Sequence, residues 1–413
     1  MVLDEKLKKH GIEIISRLID NGFQGYFVGG YIRDNLLKRE INDIDIATDA
    51  HPEKVMSIFS RVIPTGLKHG TVTVLIDNSP FEVTTFRSEG KYLDYRRPAE
   101  VFFVSNLDED LKRRDFTINA MAMTIDGQII DPYNGRTAIE NKLITAVGPA
   151  EDRFSEDPLR MLRAIRFAAQ LNFTIEKNTW KSIVDNSPLL RYIANERIKI
   201  ELFKIINSAN PDLGIELLIK SNMINWIKGL ENIRVSDDML ANQVLSKTDD
   251  VIIRIVMLLN SFSISERRTI MKQLRFSNME INNINRLFSA IELIQIDAYN
   301  NLKASLIKTD LETCQKAIDF LNITGAIEHV EMEKLLTFLS DLDSTLTVRK
   351  STDLVLTGRD LIEVFNRPSG PWLNRVLEML TYKVQYEGLP NEYEQLLKTT
   401  EKYLSEENRG VEK

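Results

Sequence analysis

The chain has 413 residues, 43% hydrophobic and 27% charged, the proportions of an ordinary globular protein with material for two to four compact units. A single cysteine, Cys314, excludes a disulfide framework and a multi-cysteine zinc site, and no run approaches the ~20 apolar residues of a membrane span; the best, 251–259, is broken by Arg254. The net charge of −7 does not advertise a nucleic-acid binder, but charge is felt over only about 8 Å at physiological salt, so a local basic groove remains compatible with it.

In chain order, residues 4–21 have helical spacing, and 25–28 rise into a Gly29-Gly30 turn with a helix expected from about Tyr31. Alternation predicts strands at 43–48, 71–76 and 81–86, with loops marked by Pro64, Gly66 and Gly70. Asp131-Pro132-Tyr133-Asn134-Gly135 is a turn by composition, and 144–147 reads as a last strand. From about Glu151 strand signals nearly vanish and helical periodicity runs to the C-terminus. The expected class is α+β: a head with a small mixed sheet at 1–148, then an all-α neck (149–210), body (211–300) and tail (301–413). The charged N-terminus lacks the apolar core of a signal peptide, so a cytoplasmic protein with no membrane contact is expected.

The strongest constellation is Gly29-Gly30-Tyr31-Ile32-Arg33-Asp34 followed by Asp43-Ile44-Asp45. Residues two apart on a strand share a face, so Asp43 and Asp45 would stand side by side while Ile44 and Ile46 face the core. Two hard oxygen ligands suit Mg²⁺, which takes one or two carboxylates plus substrate phosphate oxygens. The paired glycines let backbone N–H groups approach a triphosphate closely, so Gly30 is a candidate nucleotide contact, as is Arg33 one turn into the helix. Glu82, in the strand 81–86, is a possible third carboxylate, an exposed strand glutamate being equally compatible. Basic residues gather nearby in sequence, at Arg87, Arg96, Arg97, Lys112, Arg113 and Arg114.

The turn and Asp-x-Asp strand resemble the signature of the nucleotidyltransferase superfamily that includes DNA polymerase β. The resemblance extends to the class II tRNA nucleotidyltransferases, the CCA-adding type. Arg113-Arg114-Asp115-Phe116-Thr117-Ile118-Asn119-Ala120 is similar to the family's second motif, which implies a nucleotide contact from Arg114 and support from Asp115 and Asn119. Glu156-Asp157-Pro158-Leu159-Arg160 is similar to its base-selecting motif. Asn195-Glu196-Arg197-Ile198 is similar to a motif that braces the selector helix, and Ser369-Gly370-Pro371-Trp372 to a tail motif of Bacillus-type members. The resemblance implies a polymerase-β-like nucleotidyltransferase head, addition of CCA to tRNA from CTP and ATP with Mg²⁺, and a helical body holding the acceptor and T arms. A loop at 88–98, with Asp94-Tyr95-Arg96-Arg97, stands where the family carries the loop needed to switch from CTP to ATP. Lys38 departs from the family, many members having Gly there; Ala138-Ile139 and Ala194 depart as well.

The selector also has a physical basis. Cytosine and adenine both present an exocyclic amino donor beside a ring-nitrogen acceptor, which a carboxylate and a guanidinium can meet. Uracil and guanine reverse both groups. Asp157 and Arg160, three apart on a helix, would form this edge, pairing with each other when no nucleotide is bound. Arg160, Arg163 and Arg166 recur at three-residue steps among apolar neighbours, so anions must meet them, either nucleotide groups or acids such as Glu151, Asp152 and Glu156. The alternatives are an enzyme adding only the terminal A, a poly(A) polymerase, a small-molecule nucleotidyltransferase and a degenerate RNA-binding protein; homodimerisation is open. The histidines, His10, His51, His69 and His329, receive no role.

Overall fold

The computed structural model describes residues 2–90, 95, 100–231 and 240–410, in two compact units, 1–277 and 278–413. Asp94, Arg96 and Arg97 of the loop lie outside the described residues.

Helix α1 (Val2–Asp20) buries Ile14, Ile15 and Leu18 completely, as its apolar spacing requires. There follow β1 (Gly25–Val28), α2 (Gly30–Leu36), β2 (Asp45–Thr48), α3 (Pro52–Ile58), β3 (Val62–Gly66), β4 (Thr71–Ile76) and β5 (Ser79–Thr85). After β6 (Arg87–Glu89) and β7 (Val101–Phe103) come α4 (Leu107–Lys112), β8 (Ala122–Met123), β9 (Ile129–Ile130) and α5 (Gly135–Glu140). Seven strands form one sheet in the order β3-β4-β5-β2-β1-β8-β9. All neighbours are antiparallel except β2 and β5, which run parallel, so the sheet is mixed as expected. The β4–β5 hairpin turns on Asp77 and Asn78, both at positive φ, the backbone that a two-residue turn between twisted strands demands.

The expected strand at 144–147 is corrected. A two-residue strand, β10 (Leu143–Ile144), leaves the sheet and pairs with β11 (Thr174–Ile175) in a separate parallel ribbon, while Ala146 makes a lone bridge to Phe116. Around this ribbon the helices α6 (Ala150–Glu156), α7 (Leu159–Leu171), α8 (Lys177–Asn186), α9 (Asn195–Ile206) and α10 (Pro211–Lys220) begin. The core face of α7 buries Met161, Leu162, Ala164, Ile165, Ala168 and Ala169 fully. Gly214 lets α10 close on its neighbours, since a Cβ there would lie 2.4 Å from Ile205.

Helix Val251–Leu259 is a buried core helix. Its Arg254, 2% exposed, donates to the carbonyls of Ile206 and Ser208, so the charge that breaks the apolar run satisfies the end of α9. No helix among the described residues is long and apolar enough to cross a membrane. The second unit is helical throughout its described residues outside short turns. Its last part closes on Val348, Leu356, Leu361, Trp372, Val376, Leu380 and Leu396, with the indole N–H of Trp372 donating to the Pro368 carbonyl at 2.9 Å.

Candidate active site

The site begins where β1 ends. Val28 pairs with Asp45, and Gly29 then turns the chain away at φ 71°, leaving 43 and 44 without a ladder partner. The strand therefore starts at Asp45, two residues later than its alternation predicts. The alternation itself persists: Ile44 and Ile46 are buried, and Asp43 and Asp45 line one cleft of about 940 Å³. Because β2 and β5 run parallel, Glu82 is the register partner of Asp45. Burial first, then the charges of Asp43 and Glu82, push the Asp45 carboxyl up to about 6, against the opposing charge of Arg114.

Gly29 is a position of close approach: an added Cβ would lie 3.1 Å from Arg114 Nη1 and 3.6 Å from Asp45 Oδ2. Helix α2 opens at Gly30, and both glycines line the cleft with Arg33. Arg33 is held, donating to Asp34 at 2.6 Å and to Asn119 Oδ1 at 2.7 Å. Asn119 in turn donates to Asp115 at 3.2 Å, and Asp115 accepts from Arg163 Nε at 2.7 Å. Burial pushes the Asp115 carboxyl up, but Arg163 and Asn119 outweigh it and hold it at about 2. Arg113 and Arg114 follow Asp110 at i+3 and i+4, and the buried Asp110 accepts from both, at 2.7 and 3.3 Å.

The residues expected to select the base are placed differently from their expected geometry. Asp157 is not on the helix: it has extended backbone between α6 and α7 and accepts from the Leu159 N–H at 3.1 Å. Nor is Arg160 its partner in the ion pairs observed. Arg197 Nη2 donates to Asp157 at 2.7 Å with a second contact from Nη1 at 3.3 Å, while Arg160 pairs with Glu156. The arginine stripe of α7 is met by protein acids, of which Glu156 was expected and two were not: Asp115 pairs with Arg163 and Glu201 on α9 with Arg166. Arg166 is almost fully buried; burial and then the Arg163 charge lower its pKa to about 10, Glu201 opposing. Arg33, Arg163 and Arg166 all approach the ring of Phe167, at 5.1, 5.6 and 4.3 Å.

One cleft thus gathers Gly30, Arg33, Asp43, Asp45, Arg114, Asp157, Arg160, Arg163 and Arg166. His69, given no role from sequence, lines its edge and accepts from Arg87 through its carbonyl. A separate apolar void of about 60 Å³ beneath Leu202, Ile255 and Met271 belongs to the core and lacks the convergent polar groups of a substrate site.

Residues 25–145 match the family model of the Poly A polymerase head domain, 172–233 that of the RNA and SrmB-binding site of polymerase A, and 246–400 that of tRNA nucleotidyltransferase domain 2. The CCA-adding enzyme of Leuconostoc mesenteroides is 36% identical over 400 residues, covering 96% of each chain. That of Lactococcus lactis is 37% identical over 97% of this chain and 99% of its own. The chain belongs to the CCA-adding enzymes. The crystal structure of the Bacillus stearothermophilus CCA-adding enzyme in complex with CTP matches with a TM-score of 0.83 at 33% identity, over 97% of each chain.

For a CCA-adding enzyme, the residues that sequence reasoning missed are mostly the acids that hold arginines. Asp110 carried a local signal, an acid three and four residues before an arginine pair. Glu201 did not: it lies 35 residues from Arg166, on another helix. Within 195–198, where the resemblance implies a brace for the selector helix, Arg197 pairs with Asp157.

Proposed function

We propose that this CCA-adding enzyme binds CTP or ATP in the cleft with the triphosphate over Gly29-Gly30 and the base on Asp157 and Arg160, and extends the 3′ end of tRNA without a template. The observation that carries this reading is the convergence on one cleft of the carboxylates of the head and the selector residues beside α7, from motifs far apart in the chain.

The donor set fits Mg²⁺. Asp43 and Asp45 are hard oxygen ligands; burial first, and then the charges of Asp43 and Glu82, raise the Asp45 carboxyl against the opposing charge of Arg114, and a cation bound there would offset both. Bound there, Mg²⁺ would acidify the attacking 3′-hydroxyl and neutralise the leaving pyrophosphate.

The chain's own residues do the rest. Gly29 keeps the floor beneath the phosphates free of a side chain, and Arg114 beside it offers a cation. Arg33 is clamped by Asp34 and Asn119, so its guanidinium is already oriented when nucleotide arrives. Asp157 accepts from Leu159 and twice from Arg197, which leaves an acceptor site on Oδ2 for the amino group of cytosine or adenine. Arg160 donates to the ring nitrogen, while uracil would oppose a carbonyl to the carboxylate and an N–H to the guanidinium. The pairs Arg163–Asp115 and Arg166–Glu201 lock α7 in register with the head and with α9. We retain the division into head, neck, body and tail, and a cytoplasmic location.

Incubation with CTP, ATP and a tRNA ending at the discriminator base tests the reading. Three added nucleotides support it; a product one A longer only on tRNA already ending in CC, or a long A tail, overturns it.

A further inference from the structure

Outside the cleft, an exposed tyrosine, a half-buried one, a tryptophan and a guanidinium form a second feature of unit 1. Tyr192 ends the 3₁₀ turn Ser187–Tyr192 and leaves 54% of its surface exposed. Tyr95 lies flat against it, with ring centroids 5.1 Å apart and planes 9° from parallel. Arg191 stands 5.0 Å from the Tyr192 centroid and 5.5 Å from that of Trp226, and has no carboxylate partner among the described residues. An exposed ring that accepts a flat partner, beside an unneutralised guanidinium, is the arrangement by which proteins hold unpaired bases: the ring takes the base and the cation the adjoining phosphate. Arginines in the cleft are met by protein acids, whereas Arg191 leaves its charge for a ligand. Arg191, Tyr192 and Trp226 also fall within 172–233, the segment that matches an RNA-binding family model.

We propose that Tyr192 and Arg191 form a stacking site for an unpaired base of the RNA substrate, apart from the pocket that selects the incoming nucleotide. This rests on the reading that the substrate is tRNA. Steady-state addition by the full chain, titrating tRNA and CTP separately, tests it. Tyr192→Ala raises the KM for tRNA about tenfold and leaves that for CTP within about twofold, as loss of one base stack would. Tyr192→Phe, which keeps the ring, restores the parental value. Arg191→Ala lowers the salt dependence of tRNA binding by about one phosphate contact. An unmoved KM for tRNA, or a Phe variant as impaired as the Ala variant, overturns the proposal. So does a rise confined to the KM for CTP or ATP and reproduced by Tyr95→Ala, since Tyr192 would then serve only to hold Tyr95. A parent protein that adds nothing to tRNA would instead refute the underlying reading.

Discussion

Replacing Asp45 by Asn exposes the electrostatics of the carboxylate pair through stability as well as activity. Burial and the charges of Asp43 and Glu82 raise the Asp45 pKa from 3.8 to about 6. A raised folded-state pKa means that the fold favours the protonated carboxyl. The cost of ionising it is small near pH 4, grows as the pH rises, and is fully present above about 6. At 1.36 kcal/mol per pH unit, the full cost is about 3 kcal/mol. Asp45→Asn in EDTA at pH 7.5 is therefore expected to be more stable than the parent by up to about 3 kcal/mol, with Tm higher by about 2–4 °C for each kcal/mol. At pH 5 the gap falls to roughly half, because Asp45 is then mostly protonated in the fold but ionised in the unfolded chain. Millimolar Mg²⁺ raises the Tm of the parent and barely moves the variant, whose nucleotidyl transfer falls by at least about 10²–10³. Scanning calorimetry with and without EDTA provides the measurement. A parent more stable than the variant in EDTA at pH 7.5, or a gap indifferent to pH, would refute the reasoning.

Four further outcomes are expected. Asp157→Ala with Arg160→Ala raises UTP incorporation relative to CTP by about tenfold or more, since each lost base contact is worth about 1–3 kcal/mol; unchanged discrimination in single-nucleotide assays counts against the selector. Arg197→Ala releases Asp157 and lowers kcat/KM for CTP about 10–100-fold, and Arg197→Lys fails to restore it because an ammonium lacks the two-pronged fork. Glu201→Ala strands the buried Arg166 charge and lowers stability by about 3–5 kcal/mol, read from denaturant melts. Lys38→Gly raises stability by up to about 1 kcal/mol: Lys38 has φ 55°, the left-handed backbone that costs an L residue and suits Gly.

Much of the cleft was legible because its signals are local. Turn chemistry at Gly29-Gly30 and period-two alternation through Asp43 and Asp45 each involve a few consecutive residues, and a few consecutive residues can dictate backbone direction. The expected extension of the strand back to Asp43 and the placing of Asp157 on the helix both failed at element ends. There, ladder partners and caps decide the boundary and periodicity does not.

The amino-acid order alone established the α+β class and the helical remainder, and it singled out residues that line one cleft. Tertiary structure chose the partners: Asp157 with Arg197, Arg163 with Asp115, Arg166 with Glu201, and Glu82 beside Asp45. With 53 lysines and arginines facing 60 aspartates and glutamates, any cation has dozens of chemically equivalent candidates. Only the folded path of the backbone brings one of them within hydrogen-bonding distance.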